Sequence, residues 1–136
     1  MTIDDDDQVL LDAAMAVRKN SASPYSNFAV GAAVRTKSGR IFVGTNVESS
    51  SLGLTICAER AALCAAVAAG EPHIVEVAVV ADTKVPVPPC GACRQLLHDF
   101  GPEARLILSN LSNQIQHTTM PEILPYAFSA SMLPDS

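Results

Sequence analysis

One apolar segment, at residues 74–81, constrains the fold of this chain more than any other. It reads Ile-Val-Glu-Val-Ala-Val-Val-Ala, and such a β-branched run is typical of a strand buried in a sheet. A loop with three prolines follows at 82–89, then a helical segment at 90–100 that ends at Gly101-Pro102, and then a short strand at 105–108. A strand–helix–strand unit of this length is typical of a right-handed crossover between parallel strands. The sequence therefore predicts a sheet with a parallel pair and a helix packed on its face.

The remaining segments add a hairpin and two more helices to that unit. Hydrophobic spacing predicts a helix at 9–20, after four aspartates whose charge suits a helix N-terminus. The other predicted elements, in chain order, are strands at 28–36 and 40–46 joined by the turn Lys37-Ser38-Gly39, a helix at 55–69 ended by Gly70, and a helical turn at 121–124. We therefore expect a single α/β domain over residues 1–136, with a mixed sheet and helices on its faces.

Length and composition limit the classes of protein to which this chain can belong. Its 136 residues are 49% hydrophobic and 17% charged, which allows one packed core and excludes a disordered chain. The net charge is −5 without any basic stripe, so we expect no long nucleic-acid partner. No apolar run approaches the roughly 18 residues of a membrane span, so we expect no membrane partner. The acidic start at Asp4 to Asp7 is unlike a secretory signal, and we expect a reducing, cytoplasmic compartment.

Three cysteines lie at the starts of two predicted helices. Cys57 begins the helix after the hairpin, and Cys90 and Cys93 begin the helix of the crossover unit. Unpaired N–H groups and the macrodipole at a helix N-terminus stabilise a thiolate. Each helix follows an element that ends at the sheet's edge, so both N-termini are expected to converge on one point. Three thiolates there would hold a zinc ion at sulfur distances of about 2.3 Å.

A fourth protein ligand is not obvious from the spacing. Cys64 lies about 10 Å further along the same helix than Cys57, too far for the same ion. His98 leaves its helix on another side, whereas spacing alone leaves His73 and His117 open as ligands. If neither binds, three protein ligands leave one position for solvent, which is the catalytic arrangement. Glu59, two residues after Cys57 in the first helical turn, would then reach a water at that position.

Other interpretations of these residues remain open at this point. The pair Cys90 and Cys93 alone would fit a redox protein or half of a structural zinc site. Glu59 alone would fit an ordinary first-turn acid that complements the helix dipole. The third cysteine weakens the redox interpretation, and the lack of a second Cys-x-x-Cys pair weakens the closed structural site. The joint spacing therefore favours a catalytic metal centre.

The order Cys57-Ala58-Glu59 and then Pro89-Cys90-Gly91-Ala92-Cys93 matches the three-cysteine form of the zinc-deaminase signature. Further stretches agree with it, namely Pro24-Tyr25-Ser26, Asn46-Val47-Glu48, and Leu124-Pro125 with Phe128. On these motifs the chain, from about residue 23 to 128, resembles the small cytidine deaminases. The resemblance implies a three-layer α/β/α fold with a mixed central sheet, one zinc ion per chain, a pyrimidine nucleoside substrate and a homotetramer.

The resemblance also implies roles for individual residues. Glu59 would carry protons, and the zinc ligands would be Cys57, Cys90 and Cys93. The substrate would be held by Asn46 and Glu48 at the ribose, by Phe28 and the backbone of Ala58 at the base, and by Phe128 supplied from a neighbouring copy. Arg60, three residues after Cys57, and Arg94, next to Cys93, would donate hydrogen bonds to thiolate sulfur. On the residues alone, Phe28 would equally fit a core aromatic, Asn46 and Glu48 a polar turn, and Arg94 a solvated charge.

One departure from the family pattern bears on the substrate. Leu52 stands where the family commonly has a tyrosine that faces a neighbour's sugar. We therefore expect altered sugars or substituted cytosines to be tolerated, and a deaminase of a blasticidin-type nucleoside is the alternative within the same class. The alternatives of other classes are a non-catalytic zinc module that binds a partner and a Cys90–Cys93 redox protein.

Overall fold

The structure, a computed structural model, describes residues 3–134 and contains one five-stranded mixed sheet. Its strands are β1 (Val30–Thr36), β2 (Ile41–Thr45), β3 (Ile74–Ala81), β4 (Arg105–Asn110) and β5 (Ile115–Thr119). They lie in the order β2-β1-β3-β4-β5, and every neighbouring pair is antiparallel except β3 and β4. The predicted parallel crossover between residues 74 and 108 is therefore confirmed, and so is the mixed sheet.

Helices cover both faces of this sheet. They are α1 (Asp5–Arg18), α2 (Ala58–Ala68), α3 (Gly91–Phe100) and the short α4 (Met120–Ile123), with single 3₁₀ turns at Leu52–Leu54 and Ala130–Met132. Alternate residues of β3 point to opposite faces, so that one hydrophobic core contains Val77 with Leu63 and Leu97, and the other contains Val80 with Leu10. The result is the expected three-layer α/β/α arrangement. Within residues 3–134, no helix combines the length and the apolar character that crossing a bilayer requires.

Two glycines of the hairpin let helices approach the sheet closely. A Cβ at Gly31 would overlap the carbonyl oxygen of Ala14 in α1. On the opposite face, a Cβ at Gly44 would lie 2.5 Å from the carbonyl oxygen of Ala58 and would also overlap the N–H of Ala62. Because side chains are absent at these two positions, α1 lies directly against β1, and the first turn of α2 lies directly against β2.

The first helix begins earlier than the predicted 9–20. Asp4 caps α1, its carboxylate accepting a hydrogen bond from the N–H of Asp7 at 2.8 Å, and the following aspartates form the first turn. Carboxylates in a first turn are favourable because they face the positive end of the helix dipole. The aspartate run is therefore the start of the helix itself, with Asp4 to Asp6 exposed and Asp7 buried.

The fifth strand was not predicted from the sequence. It reads Ile-Gln-His-Thr-Thr, pairs with β4 at the edge of the sheet, and is largely exposed. An edge strand with this composition lacks the apolar alternation that identifies a strand in a sequence. The helical turn predicted at 121–124 is confirmed as α4.

Candidate active site

Three cysteine sulfurs from two helix N-termini lie together in the structure. The Sγ atoms of Cys57, Cys90 and Cys93 are all within 4.8 Å of one another, and those of Cys57 and Cys90 are 3.9 Å apart. All three are free thiols. Tetrahedral zinc with sulfur bonds of about 2.3 Å requires sulfurs roughly 3.8 Å apart, so this group fits one zinc ion.

Backbone geometry explains how the two helices deliver these sulfurs. Cys57 and Cys90 are the N-cap residues of α2 and α3, both in extended conformation. The segment before α2 is held by paired 2.9 Å hydrogen bonds between the backbones of Val47 and Ile56. Cys93 lies in the first turn of α3 and is fully buried. The three sulfurs are therefore positioned by two helix starts and by the backbone bridge between Val47 and Ile56.

The three thiols differ in their acidity. Burial raises the pKa of Cys93 well above its usual range, and the nearby Glu59 carboxylate raises it further. Burial also raises the pKa of Cys57, against a hydrogen bond with Cys93 that lowers it. Burial acts in the same direction on Cys90, but hydrogen bonds from the N–H groups of Cys93 and Ala92 and with the thiols of Cys93 and Cys57 together outweigh it, and the pKa of Cys90 is lowered. A cation at this point would stabilise all three thiolates together.

Glu59 lies beside the sulfurs in the first turn of α2. Glu59 is only 5% exposed, and this burial raises the pKa of its carboxyl. A hydrogen bond from its own backbone N–H and the charge of Arg60 both act to lower that pKa, but burial has the larger effect. The carboxylate is close enough to Cys57 and Cys93 for its charge to raise the pKa of both thiols. A buried carboxyl with a raised pKa is suited to taking and returning a proton near neutral pH.

A cavity of about 430 Å³ opens onto this group. That volume lies in the range that encloses a small-molecule ligand. Seven residues with predicted site roles line it, namely Phe28, Asn46, Glu48, Cys57, Ala58, Glu59 and Cys90. The structure thus brings the predicted proton carrier, two predicted ligands and all the predicted substrate residues of one chain around a single space.

Asn46 is held firmly in the wall of the cavity. Its side-chain oxygen accepts hydrogen bonds from the N–H of Val30 at 2.9 Å and from the hydroxyl of Ser21 at 2.5 Å. Its amide nitrogen donates to the carbonyl of Phe28 at 2.6 Å. One amide N–H remains for another partner, so the side chain is oriented before any ligand arrives.

Glu48 is oriented by the loop that precedes β1. One oxygen accepts from the N–H groups of Tyr25 and Ser26 at 3.0 and 3.1 Å, and the other accepts from the Ser26 hydroxyl. The hydroxyl of Ser26, together with these N–H groups, lowers the pKa of Glu48. Glu48 is therefore an ionised hydrogen-bond acceptor at the edge of the cavity.

Both predicted arginines contact backbone carbonyls in this structure. Arg60 donates from Nη2 to the carbonyl of Thr55 at 2.9 Å, two residues before Cys57. Arg94 donates from Nε to the carbonyl of Pro89 at 2.8 Å and from Nη1 to that of Ile123 at 2.9 Å. The sulfur contacts expected from sequence adjacency are thus replaced by contacts that hold the backbone beside the ligands.

The remaining candidates lie away from the sulfurs. Phe128 is outside the cavity and 55% exposed, and its carbonyl accepts from the Gln95 side chain at 2.9 Å. His98 is hydrogen-bonded to the Ser129 hydroxyl at 2.9 Å. Among residues 3–134, the ligand-type group at this point consists of the three cysteines, so neither His73 nor His117 joins it. Cys64 is exposed on α2, apart from that group.

Sequence reasoning missed part of the cavity wall. Thr55, Val87 and Pro88 line it as well, and Ser26 both lines it and orients Glu48. The prolines before Cys90 predicted a loop, but nothing in their pattern showed that the loop would fold over a cavity. Only the return of the chain from β3 to α3 places Val87 there.

Comparisons with known proteins agree with this geometry. A family model described as the cytidine and deoxycytidylate deaminase zinc-binding region matches residues 4–109. A cytidine deaminase from Halalkalibacterium halodurans is 47% identical over 96% of this chain and 99% of its own length. The crystal structure of a cytidine deaminase from Burkholderia pseudomallei, 44% identical, superposes with a TM-score of 0.87 over 94% of this chain and 100% of that one. A blasticidin-S deaminase from Bacillus cereus is 32% identical over 73% of this chain and 76% of its own length.

Proposed function

The chain belongs to the family of cytidine and deoxycytidylate deaminases with a zinc-binding region, and from this premise we propose that it hydrolyses cytidine and deoxycytidine to the uridine nucleosides and ammonia. One observation carries the proposal: a buried glutamate and three clustered cysteine sulfurs lie beside the same ligand-sized cavity. Neither feature alone would indicate deamination. Together they supply a proton carrier, a metal site and room for a ring.

Glu59 is the proposed catalytic acid and base. It takes a proton from the water that attacks C4 of the pyrimidine and delivers a proton to the adjacent ring nitrogen. It then takes the proton of the hydroxyl formed at C4 and passes it to the exocyclic amine, so that the C4 carbonyl forms as the bond from C4 to the amine breaks and ammonia leaves. One carboxyl serves both steps because each proton it accepts is passed on, and burial keeps its pKa raised for that purpose.

Cys57, Cys90 and Cys93 are the proposed ligands of one zinc ion per chain. When bound, zinc supplies the Lewis acidity that makes water nucleophilic near neutral pH. The protein's own contribution is to hold three thiolates at two helix N-termini, whose dipoles offset part of their negative charge. Arg60 and Arg94 contribute by fixing the backbone just before Cys57 and just before Cys90.

The proposed substrate contacts follow from the cavity wall. Asn46 and Glu48 are oriented by the loop before β1, and a ribose hydroxyl pair would find an N–H donor and a carboxylate acceptor there. Phe28 lines the same cavity and would pack on the pyrimidine, with the backbone of Ala58 facing its edge. These residues select a nucleoside over a free base because two of them address the sugar.

The alternatives are weaker on the same observations. A Cys90–Cys93 redox pair would leave the third sulfur unexplained, since that of Cys57 lies 3.9 Å from the sulfur of Cys90 and in one group with both. A zinc module that only binds a partner would have no need of a buried glutamate inside a ligand-sized cavity. Deamination of a blasticidin-type nucleoside remains the second candidate, favoured by the likeness to the Bacillus cereus protein.

We propose a homotetramer in the cytoplasm as the working form. Large hydrophobic side chains are exposed near the tail and the 3₁₀ turn at Leu52–Leu54, among them Leu52 at 72%, Tyr126 at 96% and Phe128 at 55%. Contact with other copies would cover them, and Phe128 would then reach a neighbour's cavity. A reducing compartment would keep the three thiols available for metal. Light scattering on the purified protein measures the mass directly.

The deciding experiment quantifies ammonia released from cytidine, deoxycytidine, free cytosine and blasticidin S. We expect turnover of both cytosine nucleosides, much less of cytosine, and less of blasticidin S. Turnover of blasticidin S alone would replace the proposed substrate, and turnover of none would remove the activity. Repeating the assay with Leu52→Tyr and a 5′-modified cytidine tests whether Leu52 relaxes selectivity for the sugar.

A further inference from the structure

We propose that Arg94 is a positioning residue that couples the metal-binding loop to the C-terminal segment, so that each is ordered only when the other is. The inference rests on the proposed function for the identity of the metal. Its structural basis is a bridge, because one guanidinium holds the carbonyl of Pro89 at 2.8 Å and the carbonyl of Ile123 at 2.9 Å. Pro89 immediately precedes Cys90, and Ile123 is the last residue of α4.

Both bridged carbonyls are points where the backbone would otherwise lack a partner. Pro89 lies in the irregular loop before α3, and Ile123 lies at a helix end, where carbonyls have no intrahelical donor. Arginine suits this position because its planar fork can serve two acceptors at once in fixed geometry. A lysine has a single nitrogen and would satisfy the two carbonyls poorly.

The same helix holds the tail at two further places. Gln95 donates to the carbonyl of Phe128 at 2.9 Å, and His98 is hydrogen-bonded to Ser129 at 2.9 Å. The segment from Ile123 to Ser129 therefore runs along α3, whose N-terminus supplies two sulfurs. Tyr126 has a positive φ of 55° and is 96% exposed, so its own side chain does little to hold the segment. Hydrogen bonds from α3 therefore hold the part of the tail beyond the packed side chains of Ile123 and Leu124.

This arrangement gives the arginine a different function from that of Gln95. The side chain of Gln95 donates to Asp99 on the same helix and to the tail, and His98 contacts the tail. Arg94 instead contacts the tail and the residue before Cys90. Coupling between two sites is reciprocal, so the metal should order the tail as strongly as the tail supports the metal. Phe128 is consequently presented in a fixed place when the metal site is filled.

The test uses the full chain loaded with zinc and measures two quantities that do not involve substrate. Zinc release is followed with a chromophoric chelator, and ordering of residues 121–134 is followed by hydrogen exchange and mass spectrometry. In Arg94→Ala we expect zinc release to be about tenfold faster or more and exchange in 121–134 to rise. Gln95→Ala is the matched control, and it should loosen the tail without changing zinc release. Arg94→Lys should give intermediate values for both.

Wild-type protein alone provides a second arm that does not depend on the folding of a variant. Removing zinc should raise hydrogen exchange in residues 121–134 of the wild type. The proposal is overturned if zinc removal leaves exchange of the tail unchanged, or if Arg94→Ala releases zinc at the wild-type rate. A lack of turnover of cytidine would remove the proposed function but would leave these two measurements and their meaning intact.

Discussion

Two buried glutamates on opposite faces of the sheet show how surroundings decide what a carboxyl group does. Glu59 is 5% exposed and Glu76 is 1% exposed, and burial raises the pKa of both. Glu59 faces a cavity and a group of sulfurs. Glu76 faces α1 and lies in a cross-strand row between Arg35 on β1 and Arg105 on β4.

The charges around Glu76 compensate it in a way that those around Glu59 do not. Nε of Arg35 is 3.4 Å from one oxygen of Glu76, and Nη2 of Arg105 is 3.2 Å from the other. Arg60, the cation next to Glu59, instead directs its Nη2 to a carbonyl. A buried carboxyl paired with cations has a structural position between strands and a helix, whereas one beside a cavity is available for proton transfer. We therefore expect mutation of Glu59 to affect catalysis and mutation of Glu76 to affect stability.

The largest expected effect is on catalysis. Glu59→Gln should reduce kcat for cytidine by about 10²–10⁴-fold or more, because an amide cannot accept and return the proton. Bound zinc, measured by elemental analysis, should be retained. Glu76→Gln is the matched control, equally buried and of the same chemistry, and its kcat should stay near that of the wild type. Equal losses in both variants would mean that Glu59 acts through stability and not through chemistry.

Metal removal should also affect the two sides of the sheet unequally. Chelation of zinc should lower the free energy of unfolding by about 3 kcal/mol or more, as for any ligand well above its dissociation constant. Hydrogen exchange should rise in the loop at 82–93 and much less in the first half of β3, where Glu76 lies. An equal rise of hydrogen exchange in both segments would show that the row of Arg35, Glu76 and Arg105 depends on the metal. It would contradict different roles for the two sides of the sheet.

The sequence predicts much of the side of the sheet that carries the cysteines and Glu59, and little of the side that carries Glu76. Residues 74–81 were predicted as a strand with the bounds that the structure gives, and the cysteines were expected to converge because helix N-termini at one sheet edge do so. The Glu76 row was not foreseen, since it depends on the register that places Arg35 and Arg105 beside it. Pairing register between strands distant in sequence is a tertiary property that local patterns do not specify.

The same distinction explains the other differences. Hydrophobic spacing in the sequence places the aspartates before α1, whereas they form its start. The capping contact of Asp4 exists only once the backbone has closed the first helical turn, so spacing alone does not indicate it. The partners of Arg94 include a carbonyl 29 residues away, which no local spacing indicates. Residues close in sequence to the helix starts, the cysteines and Glu59, could therefore be predicted as a group. Contacts between segments that are distant in sequence could not.

Stability should depend on pH through Glu76. Burial is the main cause that raises its pKa to about 7, and Asp7, facing it from α1, raises it further against the opposing charge of Arg105. The folded protein thus holds this proton more tightly than the unfolded chain, whose carboxyl titrates near 4.5. The contribution is present below the lower value and is lost as pH rises through the upper one. From about pH 5 to 8, the wild type should lose roughly 1–3 kcal/mol relative to Glu76→Gln.

Urea unfolding of both proteins across that range measures this difference. Glu103→Gln changes an exposed glutamate and should follow the wild type at every pH. A constant difference between the wild type and Glu76→Gln would show that the arginines hold the carboxyl ionised throughout. Glu59 does not confuse the result, because it is present in all three proteins.

The smallest expected effect concerns the first turn of α1, which covers the Glu76 row. Asp4 accepts from the N–H of Asp7, and the carbonyl of Asp6 accepts from Arg35 at 2.6 Å, so the cap and the row share one turn of helix. Asp4→Ala should lower the free energy of unfolding by about 1 kcal/mol through loss of the cap. Asp5→Ala, an exposed change in the same turn without the capping bond, should cost less. Because that turn positions Asp7 against Glu76, Asp4→Ala should also flatten the pH dependence of stability. If Asp4→Ala lowers the free energy of unfolding but leaves its pH dependence unchanged, then packing alone holds Asp7 against Glu76.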